Sequence, residues 1–395
     1  GALLNSAALR AARLQPGTAD PPGGKFERNS TTGELTGWVK GVPAWKYVYD
    51  QIPRLSFDQM RQSLKNCFFE LSRLGVTSIT DFETPEVNFA HRRLLSDMAR
   101  TGELPVRINF YLVPESSVEL DYFKSAMDEI KGLMQNDIFR FAGFEGSALF
   151  PSDGHDRPAL SDRSLITRER EESFRKTASF LLESKYHFQV DVGGDDAADR
   201  WLDVLEQINA STPLTQRRIG FAGLETATPE TLARIKKLAG GIIVDDRLVL
   251  TGESYAEQWG RDKARRAPPL RTIVDSGMPL GAGTSGFQSS AFSPILSLWW
   301  LITGKTVAGS PLRAPSANLT RSEALRAHTI GNAWFTFEEG RKGSIEVGKL
   351  ADLAVLSGDY LTIAEDQIPT LESILTIVGG QVMYAAGPYR GGIRK

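Results

Sequence analysis

Hydrophobic positions between residues 57 and 74 recur at the spacing of an α-helix. Apolar side chains stand at intervals of three or four residues, at Phe57, Met60, Leu64, Phe68, Leu71 and Leu74. This spacing places one apolar stripe along a helix, and the Gly75 that follows is the residue type that commonly ends one. The β-branched run 76–80 comes next and predicts a strand. This part of the chain is therefore a helix followed by a strand.

The same alternation of helix and strand repeats along the chain. Strands are predicted at 76–82, 106–112, 138–141, 187–192, 218–222, 241–244 and 279–282. This order is typical of a parallel sheet covered by helices. A doubly wound open sheet is the main rival, but the glycine-rich phosphate turn that usually follows its first strand is missing. We therefore predict an α/β fold, a (β/α)8 TIM-type barrel whose first strand would precede Gly1.

Three segments are expected along the chain. Residues 15–54 are rich in proline, glycine and charge and predict a surface excursion, so 1–56 are expected to pack on the barrel as an N-terminal excursion. Residues 57–342 are predicted to form the barrel, ending with a helix at 322–330. Short strands follow at 350–356, 374–378 and 381–384, with a Gly-Gly hairpin between the last two. Residues 343–395 are therefore assigned to a small β-sandwich subdomain.

Charge and hydropathy argue against several classes of function. The 46 basic and 48 acidic residues nearly cancel and form no long block of one sign, so nucleic acid is not an expected partner. No apolar run approaches the ~20 residues of a membrane span, so a soluble protein with no membrane partner is expected. The single cysteine, Cys67, rules out an intrachain disulfide. The sequence assigns no compartment, and a cytoplasmic one is only slightly favoured.

Polar residues at the ends of the predicted strands are the first candidates for a functional site, because barrels of this type carry their active sites there. Several carboxylates converging on one mouth would raise one another's pKa values or bind a cation, and either outcome suits a reactive site. The alternative is that each residue only caps the helix after its strand. The candidates are Asp81, Glu145, Asp191, Asp195, Glu225, Asp245, Arg247 and Ser285.

Histidine and serine chemistry receives little support from the sequence. His155 is the one histidine in a plausible lid loop. No His-x-His, His-Glu-x-x-His or Cys-x-x-Cys spacing occurs, so the residues alone predict no metal cluster. Ser285 does not stand in a Gly-x-Ser-x-Gly pattern, which argues against a serine triad. Phe287, two residues further on, could line an apolar pocket.

A family resemblance is carried by the C-terminal third of the chain. Residues 341–356 read RKGSIEVGKLADLAVL and resemble the "KGSIEPGKLADLVVL" segment of the amidohydrolase superfamily. The stretches 1–6, 20–24, 189–200 and 327–333 resemble the YtcJ-like branch in particular. The resemblance covers almost the whole chain. It implies a metal-dependent hydrolase in a (β/α)8 barrel, usually acting on C–N bonds, with zinc or another divalent metal as the cofactor.

The metal ligands that this resemblance implies are not found at the matching positions. The family's first strand carries His-x-His, which would precede Gly1 here. Where the branch reads "VHAIGDRA" this chain reads VDVGGDDA, so Asp191 stands at a histidine position. Gly223 and Ser285 stand where a second histidine and an aspartate belong. Since a catalytic zinc needs about three protein ligands, the comparison predicts a metal site that is absent or remodelled.

Three functions remain open on the sequence. The leading interpretation is an amidohydrolase-like hydrolase of C–N bonds in a small molecule. One alternative is a non-catalytic relative that binds a ligand in the same pocket. The other is a metal-independent enzyme that uses strand-end carboxylates for acid–base catalysis.

The candidate residues serve all three interpretations. The candidate catalytic residues are Asp191, Asp195, Glu225 and Glu145. The candidate ligand-binding residues are Asp81, His155, Asp245, Arg247, Ser285 and Phe287. A homo-oligomer, and an upstream segment or second chain that completes the barrel, are compatible with each interpretation.

Overall fold

The structure is a computed structural model and describes residues 1–82, 89–113, 119–133, 135–147, 167–184, 186–192, 195–284, 286 and 292–391. The chain forms two compact units. Among the described residues the first unit comprises Gly1–Ser63, and the second contains the rest. No helix in these ranges is long and apolar enough to cross a membrane.

The first unit is a small antiparallel sheet with a core of its own. Its strands are β1 (Ala2–Leu3), β2 (Lys25–Arg28) and β3 (Leu35–Lys40), in the order β1-β3-β2, and its helices include α1 (Ser6–Ala11) and α2 (Val42–Gln51). The core residues are Ala12, Leu14, Phe26, Val39, Ala44 and Val48. Residues 15–54 are thus more regular than the surface excursion predicted for them, because these apolar positions are too widely spaced to show as a periodic run.

A parallel sheet of seven strands dominates the second unit. The strands are β4 (Ser78–Phe82), β5 (Arg107–Leu112), β6 (Phe139–Ser147), β7 (Phe188–Asp191), β8 (Gly220–Ala222), β9 (Gly241–Asp245) and β10 (Leu280–Gly283). They lie side by side in chain order, and each pairing is parallel. The α/β prediction is confirmed, and the described strands correspond to seven of the eight positions of a TIM-type barrel.

Helices alternate with these strands as the hydrophobic spacing predicts. They are α3 (Phe57–Arg73), α4 (Phe89–Arg100), α5 (Glu119–Lys131), α6 (Arg168–Glu183), α7 (Asp195–Ser211), α8 (Pro229–Lys237), α9 (Leu248–Trp259), α10 (Arg261–Ala264), α11 (Leu270–Asp275) and α12 (Pro294–Thr303). Gly75, after α3, has a φ of +82°, a conformation that glycine adopts without strain. The side chain of Thr228 accepts a hydrogen bond from the Thr231 backbone N–H and so begins α8.

The segment after α12 runs along β10 to the N-terminal ends of the strands, where Phe335 closes the interior of the sheet. It consists of α13 (Arg321–Arg326), a π-helical turn (Ala327–Gly331) and α14 (Asn332–Phe335), in place of the single helix predicted at 322–330. Phe335 packs where β8, β9 and β10 each present a glycine. A Cβ atom added to Gly220, Gly241 or Gly281 would lie 3.1, 2.8 or 2.7 Å from the Phe335 ring. These glycines leave the space that the ring fills.

A buried polar network surrounds Glu338 at the same end of the sheet. Its Oε2 atom lies 2.7 Å from Lys342 Nζ and 3.2 Å from Arg140 Nη2. The same oxygen accepts hydrogen bonds of 2.9 Å from Asn109 Nδ2 and Thr336 Oγ1. Burial opposes ionisation of Glu338, but Lys342 and Arg140 hold its pKa below the ordinary value. This network fixes residues 334–342 at the N-terminal ends of the strands.

The C-terminal residues form a three-stranded antiparallel sheet within the second unit. Strands β11 (Leu353–Leu356), β12 (Ser373–Val378) and β13 (Gln381–Ala385) lie in that order, and Gly379-Gly380 forms the predicted hairpin between the last two. Arg107 at the start of β5 donates two hydrogen bonds to Asp352, of 2.7 and 3.0 Å. Both side chains are almost fully buried. This ion pair joins the small sheet to the parallel sheet.

Candidate functional site at the strand ends

Charged side chains from consecutive strands converge at the carboxyl ends of the parallel sheet. Asp191 is the last residue of β7, Asp245 is the last residue of β9, and Glu225 follows β8 by three residues. Asp245 pairs in register with Gly283 and therefore shares the face of Gly281, on which Phe335 packs. With Arg247, these residues define what we call the strand-end mouth.

The Arg247 guanidinium is the centre of the strand-end mouth. Its Nε donates a 2.7 Å hydrogen bond to Asp245 Oδ1, and its Nη2 bonds the other Asp245 oxygen. Nε also lies 3.4 Å from Glu225 Oε1. The Arg247 backbone N–H donates to Asp245 Oδ1 at 3.0 Å, so both the main chain and the side chain of the arginine are fixed. The residue is only 7% exposed.

Electrostatics keep this arginine charged. Burial alone would lower the pKa of Arg247, but the carboxylates of Asp245 and Glu225, with a contribution from Asp191, raise it well above its ordinary value. Asp191 is itself buried, with 5% of its surface exposed. The guanidinium therefore balances charges from the ends of β7 and β9 and from the loop after β8.

Glu145 faces the same interior as Asp191 but lies within a strand. It pairs with Gln189, and Asp191 stands two residues further along β7 on the same face. The sequence placed Glu145 after a strand at 138–141, whereas β6 continues to Ser147. Its half-buried carboxylate is therefore part of the sheet's inner surface.

Asp81 lies on the opposite face of the sheet from the predicted position. It pairs with Phe110, which alternates with Asn109, and Asn109 bonds Glu338 in the interior. Asp81 therefore points towards the helices, where its charge acts on Cys67 of α3. Burial raises the pKa of Asp81. The strand-end mouth does not include this carboxyl group.

Four other candidates have side chains that the structure does not describe. His155, Ser285 and Phe287 lie outside the described residues, and Asp195 is the first residue of α7 with its side chain outside them. Of the six candidates whose side chains are described, Asp191, Glu225, Asp245 and Arg247 are brought together, while Glu145 lies within β6 and Asp81 faces the helices.

The histidines that the structure describes lie at three different places in the second unit. His91 is in α4, and His187 precedes β7 and stacks on Phe337 with ring centroids 3.9 Å apart. His328, in the π-helical turn, has its Nε2 2.9 Å from Ser297 Oγ, and Ser297 donates to the Gly283 carbonyl at 3.4 Å. His328 and Ser297 therefore pack beside the carboxyl end of β10, where Ser297 bonds the last residue of that strand.

The His328 environment predicts a dependence of stability on pH. Burial of the imidazole lowers its pKa from 6.5 to about 4. The unfolded chain then binds more protons between these values, so stability is complete above pH 6.5 and falls as the pH drops towards 4. Because the residue is partly exposed, we expect a loss of only about 1 kcal/mol at about pH 5 relative to His328→Gln. Urea unfolding of the wild type and of His328→Gln, at about pH 5 and above pH 6.5, measures the loss of stability on acidification. Equal losses in the two proteins would contradict the prediction.

Comparison with known proteins assigns the family. The sequence profile described as "Amidohydrolase family" matches residues 1–384. This chain belongs to the amidohydrolase family. An N-substituted formamide deformylase from Arthrobacter pascens is 34% identical over 96% of this chain and 71% of its own length. YtcJ of Bacillus subtilis is 22% identical over 96% of this chain and 72% of its own.

A solved structure supports the fold. An uncharacterized metal-dependent hydrolase from Pyrococcus horikoshii superposes with a TM-score of 0.66 and 20% sequence identity. The match covers 92% of this chain and 71% of the other. The likeness extends to the parallel sheet with its small antiparallel sheet.

The described residues do not fit the divalent metal that the family implies. Within the described ranges no group of three or more His, Cys, Asp and Glu side chains could hold a metal ion. The carboxylates of the strand-end mouth instead face Arg247, whose positive charge opposes a second cation.

Proposed function

We propose that this chain hydrolyses a C–N bond of a small molecule bound at the strand-end mouth. The amidohydrolase family implies a small-molecule substrate, and hydrolysis of a C–N bond is the finer step that we add. The observation that carries the proposal is the convergence of Asp191, Glu225 and Asp245 on Arg247 at three consecutive strand positions. Barrels of this type place their active sites at these strand ends.

The chain's own carboxylates can supply acid–base chemistry. In amide hydrolysis a water oxygen bonds to the carbonyl carbon, the C–N bond breaks, and the nitrogen leaves with a proton. Asp191 is our candidate for the base that takes the proton from water and returns it to the nitrogen, because it is buried at the end of β7 and faces the interior. Glu145, on the same inner face, is the second candidate.

Replacement of Asp191 by asparagine tests this assignment. With N-substituted formamides and acetamides as substrates, we expect amine release by the wild type and a loss of about 100-fold in Asp191→Asn, the usual scale of acid–base catalysis. Amine formation is followed by derivatisation and chromatography. Asp203→Asn, on the exposed face of α7, is the matched control and should keep full activity. Equal rates in the wild type and Asp191→Asn would move the chemistry away from this residue.

One observation favours a second function, ligand binding without turnover. Arg247 places a fixed positive charge among the carboxylates and opposes the metal on which the family's metal-dependent members rely. A binding protein would take up the same amides saturably and release them unchanged. Mass spectrometry of the ligand after prolonged incubation separates the two functions.

A further inference from the structure

We propose that Arg247 is a built-in cation of the strand-end mouth, which occupies the carboxylates of Asp245 and Glu225 and thereby excludes a divalent metal. The inference goes beyond the proposed hydrolysis, since its readout is metal binding and it stands or falls without any turnover.

The contacts of Arg247 differ from those of an ordinary surface ion pair. The guanidinium bonds both oxygens of Asp245 and approaches Glu225 from the neighbouring strand position. Its side chain is 8% exposed, and those of Asp245 and Glu225 are 22% and 21% exposed. A planar guanidinium stays charged at every ordinary pH, so this positive charge is permanent.

The backbone prevents Arg247 from yielding its place easily. Its N–H donates to Asp245, while its carbonyl accepts hydrogen bonds from Thr251 N at 3.1 Å and Thr251 Oγ1 at 2.9 Å. The next two residues, Leu248 and Val249, are fully buried at the start of α9. A metal would have to displace the Arg247 guanidinium, whose backbone is held through both its N–H and its carbonyl. An approaching metal ion would also be repelled by this positive charge at short range.

The same chain offers a control cluster of equal charge. Arg234 of α8 binds Asp203 and Glu206 of α7, at 2.6 and 2.8 Å, and lies 3.3 Å from Asp199. Its carboxylates are between 40% and 61% exposed, whereas the mouth is largely enclosed. Removal of Arg247 thus leaves carboxylates in an enclosed mouth. Removal of Arg234 leaves carboxylates on a solvated helix surface.

The test compares Arg247→Met with Arg234→Met in calorimetric titrations with zinc chloride. Methionine keeps an unbranched stem and removes the charge. We expect no saturable zinc binding by the wild type, one saturable zinc site in Arg247→Met, and its loss in Arg247→Met/Asp245→Asn. Arg247→Lys, which keeps a positive charge, should gain no site.

Several results would overturn the proposal. One is a wild-type zinc site that Asp245→Asn removes. Another is a folded Arg247→Met that gains nothing, or a gain of the same size in Arg234→Met. If Arg247→Met is too unstable for titration, zinc should raise its Tm and leave that of Arg247→Met/Asp245→Asn unchanged, because a ligand stabilises the state that binds it. Failure of zinc to raise the Tm would count against the proposal in the same way.

Discussion

Replacement of Glu338 by alanine should lower the free energy of unfolding by about 3–5 kcal/mol, the cost of leaving a buried charge without its partner. Lys342 and Arg140 both direct a charged nitrogen at Glu338 Oε2, and Lys342 is largely buried. Asn109 and Thr336 would each lose a hydrogen-bond acceptor as well. Urea unfolding followed by circular dichroism gives the difference between the variant and the wild type.

A second substitution separates the charge effect from the loss of packing. In Glu338→Ala/Lys342→Met the uncompensated ammonium is gone, so part of the lost stability should return. Glu346→Ala is the control for an exposed ion pair, since Glu346 is 63% exposed beside Lys349, and it should leave stability nearly unchanged. A Glu338→Ala protein as stable as Glu346→Ala would show that the network contributes little.

The order of the parallel strands could be predicted because each one is a short apolar run between helical patterns. The exception is β6, which the sequence predicts at 138–141 and the structure extends to Ser147. Gly143 interrupts the apolar pattern and has a φ of +155°, next to an irregularity in the pairing of β5 with β6. A strand bent at a glycine loses its simple alternation, so Glu145 was expected beyond a strand that in fact contains it.

The site could be predicted only from the general rule that active sites of barrels lie at the carboxyl ends of the strands. That rule places Asp191, Glu225, Asp245 and Arg247 at strand ends, and the structure brings them together. It does not say which face a residue of a short strand presents, and a shift of one residue moves a side chain to the other face. Asp81 is such a case, since it pairs with Phe110 on the helix-covered face.

The central position of Arg247 had only a local signal in the sequence. Arg247 follows Asp245 by two residues, a spacing that allows the bidentate pair observed. Its contact with Glu225 depends on the pairing of β8 with β9, which no single segment encodes. The network at Glu338 is still less accessible to sequence reasoning, because Asn109 lies 229 residues away along the chain. Long-range contacts of this kind decide where charge is balanced inside the sheet.

Replacement of Phe335 by alanine should also be costly, lowering the free energy of unfolding by about 3–5 kcal/mol. The ring is 5% exposed and lies against Gly220, Gly241 and Gly281 on three neighbouring strands. Glycines cannot move side chains into the space that the ring leaves, so the cavity should remain. Urea unfolding is again the measurement, and a loss below about 1 kcal/mol would show that the sheet closes around the gap.

The matching change on the sheet is Gly241→Ala. Its new methyl group would lie 2.8 Å from the Phe335 ring and 3.0 Å from Trp334, which should cost about 1–3 kcal/mol through overpacking. Gly340→Ala, where a methyl group meets nothing within 4 Å, is the control. In Gly241→Ala/Phe335→Leu the smaller side chain makes room for the methyl group, so the two losses should sum to more than the loss in the double variant. Strictly additive losses would mean that Phe335 and Gly241 do not share this space.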